Sequence, residues 1–119
     1  MITEVTTENF QREVLDAEGP VVADFYAPWC SSCKVLAPEF EALSREWDGD
    51  GVRFVQLDVD QAPALASRYQ VSSIPTVLLF EDGRVTGRTI GAKPKHLVAS
   101  ELGLHRTVEE DSLGVVCNC

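Results

Sequence analysis

The stretch Val21-Val22-Ala23-Asp24-Phe25-Tyr26-Ala27-Pro28-Trp29-Cys30-Ser31-Ser32-Cys33-Lys34 decides how this chain is read. Val21 to Tyr26 is β-branched and aromatic with one carboxylate, Asp24, in the middle, which is the pattern of a buried strand. Pro28 ends it. From Ser31 to Trp47 the pattern turns helical, with Val35, Phe40, Leu43 and Trp47 supplying much of an apolar stripe, and Gly49-Asp50-Gly51 closes the run. Pro38 removes one backbone donor inside that helix and should kink it rather than end it, because the periodicity resumes beyond. The pair Cys30 and Cys33 therefore falls where a buried strand hands over to a helix.

Two cysteines at such a junction have a physical logic. Two intervening residues in the first helical turn bring the sulfurs within bridging reach. The unpaired N–H groups and the positive dipole end of the helix stabilise a thiolate. A lowered pKa makes Cys30, the outer member, the attacking nucleophile, and Cys33, one turn inside, the sulfur that resolves a mixed disulfide. The alternatives are half a zinc site or two unrelated cysteines. Zinc sites draw further ligands from similar short spacings, whereas Cys117 and Cys119 are a whole domain away and only His96 and His105 could supplement them. The strand-before, helix-after setting favours redox chemistry. No metal and no bound cofactor are expected, because the cysteines themselves carry the electrons.

Outward from this centre, Thr6 to Phe10 offers hydroxyl N-caps for a helix carrying Phe10, Val14 and Leu15, stopped by Gly19-Pro20. Val52 to Val59 reads as a second strand, 60–69 as a short helix and Thr76 to Phe80 as a third buried strand. Asp82-Gly83 is a hairpin signal leading into Arg84 to Ile90, and Lys93 to Leu104 is a last amphipathic helix. The order β-α-β-α-β-α-β-β-α gives an α/β domain, a central mixed sheet covered by helices on both faces. Strands joined through helices should run parallel, with the hairpin adding antiparallel pairing. The domain is expected to occupy 1–104, and 105–119, acidic and polar, to form a mobile tail.

The net charge of −9 argues against nucleic-acid binding, which needs clustered Lys and Arg. The longest apolar run near the middle, Val77 to Phe80, is far too short to span a membrane. The N-terminus shows no basic segment followed by an apolar one, so the cytoplasm is the expected compartment.

The sequence resembles the thioredoxin family over roughly the first hundred residues. The resemblance rests on Asp24-Phe25-Tyr26-Ala27-Pro28-Trp29-Cys30-x-x-Cys33-Lys34, on Pro38, on Ile74-Pro75-Thr76, and on Asp82-Gly83 and Gly91. It implies the thioredoxin fold and a protein-disulfide reductase recharged by a thioredoxin reductase. It also implies roles beyond the cysteines. Burial should raise the pKa of Asp24 unless that residue faces a wet side of the sheet. By resemblance Asp24 lies beneath the active site and exchanges protons with Cys33. Pro75 matches the family's cis-proline, a position that a strand-opening proline would equally occupy. The backbone of Ile74 would pair with substrate as an added strand. Trp29 would shield the nucleophile and give substrates an apolar contact, and Gly91 would permit their close approach.

Three departures stand out. Ser31-Ser32 replaces the usual Gly-Pro between the cysteines, and its hydroxyls can donate to a Cys30 thiolate. That stabilises the reduced form and raises the potential. Gln56 stands where many members carry a lysine near the buried aspartate, which should leave Asp24 harder to ionise. Tyr26 replaces a common tryptophan. Beyond the pattern, Cys117 and Cys119 form a candidate accessory redox pair, with soft-metal binding or no specific role as alternatives. The first functional reading is a monomeric dithiol reductant acting on protein disulfides. An oxidase or isomerase, favoured by Ser31-Ser32, and a binding module that ignores the thiols are the alternatives.

Overall fold

Five strands and three α-helices order residues 2–104, the part of the chain described by the computed structural model. The expected tail, with His105, Cys117 and Cys119, lies outside the described residues. In chain order the elements are β1 (Ile2–Val5), a single π-helical turn (Gln11–Leu15), β2 (Val21–Tyr26), α1 (Ser31–Glu46), β3 (Arg53–Asp58), α2 (Pro63–Arg68), β4 (Thr76–Glu81), β5 (Arg84–Ile90) and α3 (Lys95–Leu102). The sheet order is β1-β3-β2-β4-β5.

Alternation along the strands divides the core between two faces. Ala23, Phe25, Val55, Leu57, Leu78 and Phe80 pack with Phe10, Val14 and Leu65 beneath the π-turn and α2. Val22, Phe54, Val77 and Leu79 pack with Leu36, Phe40, Leu43, Val98 and Leu102 beneath α1 and α3. Each fully buried Val, Leu or Phe among them contributes roughly 1.5–3 kcal/mol relative to exposure. Asp24, two residues from Val22, belongs to the α1 face, where it is buried.

Parallel pairing holds for β1 with β3 and for β2 with β3, but not for the third helical connection. β4 pairs antiparallel with β2, with Thr76 opposite Phe25. The reason is length. α2 has six residues, about 9 Å of helix, against strands of about 20 Å. Such a helix cannot carry the chain back along the sheet, so β4 starts at the end where β2 finishes. The 82–83 hairpin forms as expected, with positive φ at both Asp82 (55°) and Gly83 (79°), the signature of a type I′ turn.

Two local expectations fail. The first helix is a π-turn closed by an Asp16 N–H to Gln11 O bond of 2.9 Å, and its N-cap, Phe10, makes no side-chain bond. The Asn9 side chain instead accepts from the Thr6 N–H at 2.7 Å, so no hydroxyl caps the helix. On α1 the buried stripe is Cys33, Leu36, Phe40 and Leu43, while Val35 is 63% exposed. A hundred degrees of helical rotation separates Val35 from Leu36, and the sheet takes the leucine. α1 continues through Pro38. Among the described residues no helix is long and apolar enough to cross a membrane.

Candidate active site

The β2–α1 junction puts both cysteines in one turn. Cys30 is the N-cap of α1, with extended φ and ψ of −87° and 115°, and its Sγ accepts from the Cys33 backbone N–H at 3.2 Å. The two sulfurs are joined as a disulfide with a Cα–Cα separation of 5.3 Å, inside the usual range. Both residues are buried in the bridged state, Cys30 6% and Cys33 5% exposed. What separates the two is the hydrogen bond: only Cys30 receives an N–H at the positive end of the helix. The Ser32 hydroxyl lies 3.7 Å from Cys30 Sγ, and with that sulfur bridged only the hydroxyl can donate. Ser31 is exposed.

Opposite the cysteines, the Ile74–Pro75 peptide is cis. The Ile74 carbonyl oxygen is 3.9 Å from Cys30 Sγ, and Gly91, at φ 94°, donates its N–H to Pro75 O at 2.8 Å. This brings Ile74, Pro75 and Gly91 to one side of the sulfurs. Trp29 stands on another side, 68% exposed, with its indole N–H donating to Asp60 at 2.7 Å. Between Trp29 and Ile74 runs a groove of about 400 Å³, floored by Val59, Pro63, Ala66 and Val71. Its walls are chiefly apolar, and Ile74, one of them, carries the carbonyl next to Cys30 Sγ.

A second cavity, of about 200 Å³, lies on the inner side and is lined by Asp24, Cys33, Tyr26, Lys34 and Gln56. Asp24 Oδ1 is buried without a hydrogen-bond partner. Burial, reinforced by the negative charge of Glu4, pushes the Asp24 carboxyl up to about 7. Tyr26 is pushed up to about 12, first by burial and then by its hydrogen bond to Glu4. Sequence reasoning placed Asp24, Gln56 and Tyr26 near the site but missed Glu4, whose side chain receives both the Tyr26 hydroxyl and the Gln56 amide. Among the described residues no group of three or more His, Cys, Asp or Glu is placed to hold a metal ion.

A bridged pair at a helix N-terminus, a cis-proline facing it and a buried acid beneath it make a dithiol–disulfide exchange centre. The family model for Thioredoxin matches residues 1–102. The chain belongs to the thioredoxin family. It is 44% identical over 99 residues to Thioredoxin C-2 of Corynebacterium nephridii, covering 83% of this chain and 91% of that protein. To the thioredoxin of Bacillus subtilis it is 41% identical over 104 residues, covering 87% and 97%. To Thioredoxin 1 of Synechococcus elongatus it is 39% identical over 101 residues, covering 85% and 94%. The five-stranded mixed sheet flanked by helices is the thioredoxin fold. Family membership and the bridged Cys30–Cys33 pair make the chain a protein thiol–disulfide oxidoreductase of the disulfide-reductase type, acting on protein disulfides.

Proposed function

We propose that Cys30 is the attacking sulfur, Cys33 the resolving sulfur and Asp24 the base that serves Cys33, in a net reduction of substrate disulfides. The observation that carries this reading is the Cys33 N–H directed at Cys30 Sγ. A charge-assisted bond at a helix N-terminus stabilises the thiolate of Cys30 and of no other cysteine in the pair. The Cys30 thiolate attacks one sulfur of the substrate disulfide, forms a mixed disulfide and releases one substrate thiolate. Cys33 then passes its proton to Asp24 and attacks Cys30 Sγ, which re-forms the intramolecular bridge and releases the second substrate thiolate. The substrate gains two electrons, the cysteine pair loses two, and a thioredoxin reductase returns them.

Substrate lies in the groove between Trp29 and Ile74. The backbone of Ile74 pairs with it as an added strand, Pro75 fills the space beside the sulfurs, Gly91 leaves room for it, and Trp29 gives an apolar wall. Ser31 and Ser32 tune the potential, chiefly through Ser32, whose hydroxyl reaches the sulfur. The protein works as a monomer in the cytoplasm, with 1–104 as the catalytic domain. Cys117 and Cys119 at the end of 105–119 form an accessory dithiol that exchanges with Cys30.

The test is the reduction potential of the Cys30–Cys33 pair in defined redox buffers, followed by tryptophan fluorescence. A value near about −270 mV supports net reduction. The Ser32 contact favours a second reading, an oxidant or isomerase, and a value between roughly −180 and −120 mV would establish it instead.

A further inference from the structure

Glu4 on β1, Gln56 on β3 and Asp24 on β2 stand in one row across three strands, Glu4 in register with Gln56 and Gln56 with Asp24. Tyr26, two residues beyond Asp24, shares its face. The hydrogen bonds in this row all run to Glu4. Gln56 Nε2 donates to Glu4 Oε1 at 2.7 Å. The Tyr26 hydroxyl donates to the same carboxylate, 3.0 Å from Oε2 and 3.2 Å from Oε1. Tyr26 and Gln56 both line the Asp24 cavity, yet neither serves Asp24 Oδ1, which is left buried and unpaired.

Glu4 thus acts on Asp24 in two ways. It occupies the tyrosine and amide donors whose bonds would favour an Asp24 carboxylate, and it adds a negative charge that disfavours one. The other groups around Asp24 are few. From β3, Asp58 bears on Tyr26 in the same sense as Glu4. From α1, Lys34 lines the cavity with the opposite charge, and Cys33 is bridged. Val77, the residue on β4 in register with Asp24, carries no charge.

We propose that Glu4 is a positioning residue of the redox site: by holding Tyr26 and Gln56 and by its own charge, it keeps Asp24 protonated to higher pH and so sets the pH at which Cys33 finds a base. The first half of this stands on the geometry of the row, and the second rests on Asp24 serving Cys33. The charge of Glu4 also joins burial in raising the proton affinity of Asp24.

The experiment is a carbon-13 NMR titration of the Asp24 carboxyl in the oxidised, full-length protein, with Glu4→Gln and Glu4→Ala. Gln at position 4 still accepts from both donors and removes only the charge, whereas Ala releases the donors as well. Glu4 is exposed on the edge strand, and a thermal melt confirms that both variants fold. Glu4→Gln should lower the Asp24 midpoint by about 0.3 to 1 pH unit, and Glu4→Ala by more. The pH profile of dithiol oxidation should move by the same interval in Glu4→Gln and not at all when the change is made on an Asp24→Asn background. An Asp24 midpoint unchanged in both Glu4 variants would overturn the proposal. A lowered midpoint with an unmoved oxidation profile would uphold Glu4's hold on Asp24 and overturn the assignment of Asp24 as the base.

Discussion

The backbone N–H of Cys33 donates to the sulfur of Cys30 across 3.2 Å, so α1 is capped by one of the two sulfurs of the redox pair. A helix N-terminus leaves N–H groups without intrahelical partners, and here one of them is satisfied by the sulfur that the proposed mechanism makes the thiolate on reduction. Fold and reactivity share one bond. Breaking the disulfide strengthens that bond, because an anionic acceptor replaces a neutral one.

The Ser32 hydroxyl, 3.7 Å from the same sulfur, adds a second donor. Ser32→Ala should make the Cys30 thiolate less stable and the pair more reducing. One hydrogen bond of about 0.5–1.5 kcal/mol corresponds to a potential lower by about 10–30 mV. The corresponding Ser31→Ala change should leave the potential within a few millivolts, since the sulfur contact is made by Ser32. Equilibration of both variants against glutathione measures the difference.

Asp24 holds its proton up to about pH 7 in the folded protein against an ordinary value of 3.8. Between those two values the unfolded chain has lost the proton and the native state has kept it. Stability therefore falls as pH rises from about 4 to 7 and levels off above. Asp24→Asn removes this dependence. It should be nearly neutral for stability near pH 4 and stabilising by up to about 4 kcal/mol at pH 8, the full span of the shift being an upper limit. Urea unfolding of the oxidised proteins at the two pH values measures the difference.

Gly87 on β5 has no room for a side chain. A Cβ placed there would stand 2.1 Å from the Leu102 carbonyl oxygen at the end of α3. The closeness is what lets Val98 and Leu102 seal the core beneath α1. Gly87→Ala should push α3 off the sheet and cost roughly 1–3 kcal/mol, read as a lower urea midpoint. Cys30 should keep its reactivity, because α3 is tied to α1 at Glu39 and Glu46, beyond the first turn that holds the cysteines.

Much of this was legible in the sequence because it rests on local rules. The Cys30–Cys33 pair, the buried Asp24 and the Asp82-Gly83 hairpin are each specified by a few neighbouring residues. What escaped was what depends on partners distant in sequence. The direction of β4 is set by the shortness of α2, whose start Pro63 marks but whose end no residue in the 60–69 stretch marks. Val35 and Leu36 are both apolar, and only the sheet decides which is buried. Glu4 reads as an ordinary surface acid until strand register places it directly across from Gln56 and two strands from Asp24.

The most direct test of the account is to trap the reaction halfway. Cys33→Ser with Cys117 and Cys119 also replaced by Ser, fully reduced and mixed with a disulfide-bonded peptide, should stall as a mixed disulfide, and peptide mapping should place the peptide on Cys30. No adduct on Cys30 in that protein, with trapping through Cys33 in the matching Cys30→Ser protein, would contradict it.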